Sequence, residues 1–200
     1  MDIIQRVKLF AEKAHGSQRR KYSGELYIVH PVRVMELCRE YDDSVPALAA
    51  CLLHDVLEDT EVNEDDLNSF LLKVMNREEA QQTLALVIEL TDIYIKKDFP
   101  DWNRRKRKAM ETKRIEKTSA LSQTIKYADI IDNCADMAEQ TEDDFAETFL
   151  LECRALLKVL NKGDAKLYSR TVLAVENSLV QLRTAIREKK GRTKGPAGFS

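Results

Sequence analysis

The sequence predicts an all-α fold, and three observations predict it. Among 200 residues there are only 6 glycines and 4 prolines, too few for the many tight turns of a sandwich or barrel. Leu, Ala, Lys, Glu and Arg dominate, the residues that lose least on entering a helix. Apolar residues recur three and four positions apart along most of the chain, which is the period of a helix with one buried face. With 44% apolar and 33% charged residues the chain can bury one sizeable core, and it reads as a single domain of about eight to ten helices.

The elements follow in order. Ile3, Val7, Phe10 and Ala14, with Ile4 and Ala11 beside them, predict a first helix over about residues 2 to 16, ending at Gly16. The polar stretch Ser17 to Glu25 carries three consecutive cations, Arg19, Arg20 and Lys21, and a turn signal at Ser23-Gly24, so it reads as a loop. Pro31 suits the first turn of a second helix reaching about Tyr41, because its missing amide hydrogen costs nothing there. Ser44 as N-cap and Pro46 in the first turn open a third helix, whose apolar run Ala49 to Leu53 leads into His54-Asp55.

Asn63 caps a short helix through Leu67, Phe70 and Leu71, and a longer helix runs from about Arg77 to Tyr94 on Leu84, Val87, Ile88 and Ile93. After a break at Asp98 to Asp101, a highly charged helix is expected from about Trp102 to Lys117, then another from Leu121 to about Glu139, with Ser119 or Ser122 at its start. Thr141-Glu142-Asp143-Asp144 combines a hydroxyl cap with early acids, which complement exposed amides and the helix dipole; that helix should reach about Leu160. The last helix, near Asp164 to Lys189, carries Tyr168, Val172, Val175, Leu179, Leu182 and Ile186 in a heptad-like seam. The seam reads first as packing along its own domain and second as a homodimer contact. The domain therefore spans residues 1–189, and residues 190–200 form a flexible tail containing Gly and Pro.

Charge and cysteine usage narrow the function classes. A net charge of -2 provides no global attraction to nucleic acid or anionic lipid. The basic run Asn103-Arg104-Arg105-Lys106-Arg107-Lys108 lacks interleaved aromatics, so it reads as a solvated helix face or a local anion contact rather than a nucleic-acid site. Cys38, Cys51, Cys134 and Cys153 are scattered, form no CxxC pair and read as buried thiols of a cytoplasmic protein. The N-terminus has neither a basic region nor a long apolar region, and no stretch approaches a membrane span.

The chemistry is concentrated where the third helix ends. Within Ala49 to Thr60, an apolar run switches to His54-Asp55 and then Glu58-Asp59, placing an imidazole and acids beside a core. Unpaired, such groups cost several kcal/mol each, and an ion is the natural compensation. If the helix continues, residues 54 and 58, and 55 and 59, are i,i+4 neighbours and line one side. Only three histidines occur: His30 opens the second helix beside the cationic loop, and His15 ends the first, where it caps the helix or steadies the loop. In Lys126-Tyr127-Ala128-Asp129-Ile130-Ile131-Asp132-Asn133, Asp129 is a carboxylate on an otherwise core-facing stripe and needs a partner. His30, His54, Asp55 and Asp129 together would form a mixed nitrogen and oxygen set, suited to Mn²⁺, Fe²⁺ or Mg²⁺, with Zn²⁺ also compatible.

These residues resemble a known family, the HD-domain metal-dependent phosphohydrolases, and within it the hydrolase domain of RelA/SpoT-type alarmone enzymes. The resemblance rests on Ala14 to Lys21, Tyr27-Ile28-Val29-His30-Pro31, Ala49 to Thr60, and Tyr127-Ala128-Asp129 with Asn133, four motifs in the family's order. The length is similar to that of stand-alone small alarmone hydrolases. The resemblance implies that His30, His54, Asp55 and Asp129 are metal ligands, that Glu58 and Asp59 are the catalytic acidic pair, and that Mn²⁺ is the usual ion. It implies a small-molecule nucleotide substrate, guanosine tetra- or pentaphosphate losing its 3′-pyrophosphate, with Arg20 and Lys21 on phosphate oxygens and Asn133 at a pocket position. Tyr27 reads as core packing or as a ring beside the substrate, with packing preferred.

The chain also departs from the family. Ile130 and Ala135 stand where cations are common, with Asp132 and Asp136 nearby; Lys126, or Arg104, Arg105 and Arg107, would have to compensate. Two further readings follow: a phosphatase acting on a 2′- or 3′-phosphate of another nucleotide, and a catalytically silent nucleotide-binding module, against which the intact Glu58 and Asp59 stand.

Overall fold

The computed structural model of the chain describes residues 2–138, 140 and 144–192, with only the backbone of residues 144 and 190–192. Ten helices follow one another among the described residues: α1 (Ile3–His15), α2 (Val29–Arg39), α3 (Val45–Leu53), α4 (Val56–Asp59), α5 (Glu64–Val74), α6 (Arg77–Leu90), α7 (Arg104–Ile115), α8 (Ala120–Met137), α9 (Asp144–Leu157) and α10 (Ala165–Arg192). The only bridge described outside helices pairs Arg19 with Leu26 across the cationic loop. The all-α expectation holds.

Capping explains most boundaries. Asp2, Asn63, Asn76, Asn103 and Ser119 each accept a hydrogen bond from the amide three residues on, satisfying a donor that the first turn leaves open. Gly16 closes α1 at φ 53°, a left-handed conformation that favours glycine, with its N–H donating to the Glu12 carbonyl. The cap expected at Thr141 lies outside the described residues, as do residues 193–200 of the expected tail. Residues 190–192, assigned to that tail, are instead the last residues of α10.

The core sits around α3 and α8. Every residue of α3 from Pro46 to Leu53 is buried, because α1, α2, α6 and α8 pack around it, so this helix has no polar face. Helix α8 lies between α2 and α6 on one side and α9 and α10 on the other, and buries Ile125, Tyr127, Ala128 and Ile130. The seam of α10 is spent within the chain: Val175, Leu179 and Leu182 are buried against the core, whereas Leu173 and Val180 face outward, 64% and 63% exposed.

One connection holds α8 to α10 closely. A Cβ on Gly163 would come within 2.5 Å of the Tyr127 ring and 2.8 Å of the Thr124 nitrogen, so only glycine fits. The Tyr127 hydroxyl donates to the Leu160 carbonyl at 3.0 Å, and the Asp164 amide donates to Thr124 Oγ1 at 2.9 Å. These contacts seat α8 against the start of α10 and thereby set the position of Asp129.

Two boundaries differ from the sequence expectation. Helix α6 stops at Leu90, and residues 91–103 form an irregular segment whose Tyr94, Phe99 and Trp102 pack on one another. The helix expected to run through His54-Asp55 breaks there: α3 ends at Leu53 and α4 begins at Val56.

Candidate metal centre

Three elements bring the candidate ligands together. His30 enters from the first turn of α2, Asp129 from the middle of α8, and His54 and Asp55 from the break between α3 and α4. In a continuous helix, adjacent side chains diverge by about 100°. Although the two residues are adjacent, His54 Nε2 and Asp55 Oδ2 come within 3.0 Å of each other at the junction of α3 and α4. His30 Nε2 lies 3.2 Å from Asp129 Oδ1 and 3.6 Å from Asp55 Oδ2, while His54 Nε2 lies 3.6 Å from Asp129 Oδ1. The donor atoms of His30, His54 and Asp55 all fall within 4.8 Å of one another.

The imidazoles are oriented from behind. His54 Nδ1 lies 2.8 Å from the Cys51 carbonyl oxygen, which can only accept, so Nδ1 carries the hydrogen. His30 Nδ1 lies 2.7 Å from Asp132 Oδ2, which assigns it the same tautomer from the hydrogen-bond network. Both Nε2 atoms therefore face the carboxylates. His54 Nε2 is buried without a hydrogen-bond partner, because the Asp55 oxygen lies close but off the donor direction. A buried nitrogen left this way beside two carboxylates fits a divalent cation better than a plain hydrogen-bonded core.

Electrostatics agree with that fit. Burial opposes charge on His54, but Asp55 and Asp129 outweigh it and hold the imidazole well above its ordinary pKa. Burial likewise opposes the charged form of Asp55, yet His54 beside it keeps the carboxyl far below the usual range. Asp129 is also held low against burial, first by the Lys126 ammonium and then by the two imidazoles. The cluster demands positive charge, which protons on the imidazoles or a metal ion can supply.

Glu58 and Asp59 are adjacent in the single turn of α4 and reach different partners. More than a third of each is exposed at the mouth of the centre, on different sides. Glu58 Oε2 accepts from the Asp92 amide at 3.2 Å, whereas Asp59 lies towards the Tyr27 hydroxyl and His15. Protein packed around the Glu58 carboxyl, then the charge of Asp92, pushes its pKa up to about 7, a shift tempered by solvent at its open side. Burial and then Asp55 raise Asp59 as well.

The expected phosphate contacts fall differently. Arg20 is 8% exposed and is committed to Asp136 through Nε at 3.0 Å and Nη2 at 2.7 Å, with Asp132 3.6 Å away. Asp132 thus touches both Arg20 and His30, and ties Arg20 to the candidate ligand His30. Lys21 Nζ lies 2.8 Å from the Tyr22 hydroxyl and packs over the Tyr22 and Phe145 rings. Asn133 Nδ2 donates to Asp129 Oδ1 at 2.6 Å, beside the candidate ligands.

Several contacts go beyond what the sequence showed. The Tyr27 ring does pack, against His15 at 4.6 Å, but its hydroxyl also donates to Asp55 Oδ2 at 2.7 Å. His15 Nδ1 meets Gln18 Oε1 at 2.9 Å and so steadies the loop. Lys126, named above only as a compensating cation, reaches Asp129 Oδ2 at 2.8 Å, and Asp92 links Glu58 to Lys108. Asp132 had a local signal, one helical turn beyond Asp129; Asp92 had none.

Comparison with known proteins places this geometry in context. The family model described as the HD domain matches residues 27–134. A guanosine-3′,5′-bis(diphosphate) 3′-pyrophosphohydrolase of Vibrio cholerae is 33% identical over 118 residues, covering 48% of this chain and 17% of that protein. A probable guanosine-3′,5′-bis(diphosphate) 3′-pyrophosphohydrolase of Synechocystis sp. is 43% identical over 91 residues, covering 46% of this chain and 11% of that protein. The matched segments thus span less than a fifth of either relative. A solved structure, described as a metazoan orthologue of SpoT that hydrolyses ppGpp and plays a role in starvation responses, superposes with a TM-score of 0.72. It is 22% identical, and the match covers 90% of this chain and 96% of that one, so it shares the fold.

Proposed function

The chain belongs to the HD domain family, and from that premise we propose that it is a metal-dependent phosphohydrolase that removes the 3′-pyrophosphate of guanosine tetra- or pentaphosphate. The products are guanosine di- or triphosphate and pyrophosphate. One observation carries the hydrolase reading: donor atoms of His30, His54, Asp55 and Asp129 converge, with the buried His54 Nε2 left without a hydrogen-bond partner. The names of the relatives carry the substrate.

In this reading the four residues hold the ion, and Mn²⁺ suits the mixed imidazole and carboxylate set, ahead of Mg²⁺, Fe²⁺ and Zn²⁺. When bound, the ion lowers the pKa of a water and neutralises phosphate oxygens. Asp132 and the Cys51 carbonyl keep the imidazoles in the tautomer that leaves Nε2 for the ion. A water oxygen bonds to the phosphorus attached to the 3′ oxygen, that phosphorus–oxygen bond breaks, and the 3′ oxygen leaves with a proton. Glu58, with a pKa near 7, can exchange a proton at neutral pH, and Asp59 is the second acid at the mouth. Lys126 answers the charge of Asp129 and stands ready for a phosphate oxygen. Four buried cysteines without disulfides support a reducing cytoplasm, and no helix among the described residues is long and apolar enough to cross a membrane.

A second reading is favoured by the Arg20 ion pairs together with Ile130 and Ala135: a phosphatase acting on a 2′- or 3′-phosphate of a less anionic nucleotide. Metal-reconstituted protein incubated with guanosine tetraphosphate and a panel of 2′- and 3′-phosphorylated nucleotides separates the two. Pyrophosphate with guanosine diphosphate upholds the first reading; orthophosphate from another nucleotide alone replaces it with the second. No turnover with any of the four metals sinks both.

A further inference from the structure

The irregular segment after α6 is gripped at its start by two charged residues of α7. Glu111, 3% exposed, accepts through Oε2 from the Ile93 amide at 3.0 Å and the Tyr94 amide at 3.1 Å, and its Oε1 accepts from Arg114 Nε. Arg114 donates from Nη1 to the Glu89 carbonyl at 3.0 Å and from Nη2 to the Thr91 carbonyl at 2.9 Å. The pair therefore holds the main chain on both sides of Asp92, two carbonyls before it and two amides after it. A buried ion pair needs such further hydrogen bonds to offset its desolvation. What the clamp fixes is Asp92. Its amide donates to Glu58 Oε2 at 3.2 Å, and its Oδ2 accepts from Lys108 Nζ at 2.8 Å. With Lys108 and Glu111 it lines a cavity of about 120 Å³ that α7, α8 and α9 enclose beside Lys126.

We propose that Glu111 and Arg114 are positioning residues for Glu58, acting through the main chain of residues 89–94 and through the Asp92 amide and carboxylate. The proposal rests on the phosphohydrolase reading above, in which Glu58 exchanges the proton. Glu58 sits in the single turn of α4 and is more than a third exposed, so its own element constrains it little. The charged groups facing it are Asp92 from the segment, Asp55 from the α3–α4 junction and Lys126 from α8. Of these, Asp92 raises its proton affinity most, and that charge outweighs the hydrogen bond from the Asp92 amide, which favours the carboxylate. Asp92 stands on irregular chain, so its place beside Glu58 depends on what grips the residues around it. A misplacement of about 1 Å at a reacting group is enough to cost about 100-fold in rate.

Carboxyl carbon NMR of the glutamate-labelled, Zn²⁺-loaded full chain reads the Glu58 titration without requiring turnover, with the signal assigned by its loss in Glu58→Gln. Glu111→Gln keeps one oxygen for the two amides but turns an N–H group toward Arg114 Nε, and Arg114→Lys keeps the charge without the fork. Each should lower the Glu58 midpoint by about one pH unit, because Asp92 is no longer held beside it. Each should also reduce kcat on guanosine tetraphosphate with Mn²⁺ about 10- to 100-fold, with metal content unchanged. The double variant Glu111→Gln, Arg114→Met leaves no charge buried alone and carries the same test if a single variant fails to fold. Asn76→Ala, which removes the cap at the far end of α6, should lower the melting temperature and leave the Glu58 midpoint in place. A midpoint at the wild-type value in the folded clamp variants, or one that moves equally in Asn76→Ala, overturns the proposal. Turnover by the wild type is scored separately. A clamp-dependent titration without turnover sinks the phosphohydrolase reading and leaves the hold on Glu58, and turnover with a clamp-independent titration does the reverse.

Discussion

The two sides of the metal centre are built from one helix and differ in almost every physical respect. On one side α8 presents Asp132 and Asp136, one turn apart, and both are engaged by Arg20, with Asp132 also holding His30. On the other side it presents Lys126, Ile130 and Asn133, which line the cavity with α7 and α9. The first side is saturated with ion pairs and supports a ligand; the second is open, partly apolar and able to accept something new. The same helix can do both because, at 3.6 residues per turn, positions 132 and 136 lie to one side of Asp129 and positions 133, 126 and 130 to the other. Asp129 lies between the two sets and turns Oδ1 to the imidazoles and Oδ2 to Lys126.

The largest expected effect lies where the two sides meet. Asp55→Ala should reduce bound metal to background by elemental analysis and abolish turnover, while Glu58→Gln should keep metal and lose about 10²- to 10⁴-fold in rate. Metal at full occupancy in the Asp55 variant would overturn the ligand set. Next is the saturated side: Arg20→Ala leaves two nearly buried acids facing each other and should cost about 3 kcal/mol of stability by denaturant unfolding. If Arg20→Ala instead melts like the wild type and only raises KM, Arg20 is a substrate contact and the contrast between the sides collapses.

A smaller effect is expected at the residue behind His30. Asp132→Asn should weaken metal affinity about 10- to 100-fold by competition with a chelating dye, with the fold retained. The smallest is a shift in pH dependence. The Asp92 charge helps to raise Glu58 to about 7, so Asp92→Asn should move the limb of the pH–rate profile that reports Glu58 to lower pH. The linked stability has a definite sign. Glu58 binds its proton more tightly folded than unfolded, so the fold is penalised progressively from about pH 4.5 to pH 7 and constantly above. Glu58→Gln should therefore raise the melting temperature at pH 8 and leave it unchanged at pH 4; an increase of equal size at both pH values would show that the charge is not the cause.

Legibility differed between the fold and the centre for reasons that particular residues make plain. Helices were readable because period and caps are local: Asn63 and Ser119 stand at their helix starts as read. The reading of α6 overran the helix because Ile93 continues the apolar period, yet the backbone amides of Ile93 and Tyr94 turn to Glu111 on α7. The break at His54-Asp55 escaped notice because both residues keep right-handed helical dihedrals, φ -58° and -98°, and nothing local announces an end. The ion pairs of Arg20 were not legible because its partners lie 112 and 116 positions away, at Asp132 and Asp136.

By itself the sequence determined the helical class, most helix starts and the chemical types gathered for the centre, since these depend on spacing within a few residues and on side chains that are costly to bury alone. Tertiary structure decided which atoms meet. Packing of α2, α3 and α8 set Nε2 of both imidazoles against two carboxylates, tied Arg20 to Asp132 and Asp136, and gave Ile130 a cavity to line. Such outcomes depend on distances of about 3 Å between residues far apart in the chain, and no local period or propensity encodes them.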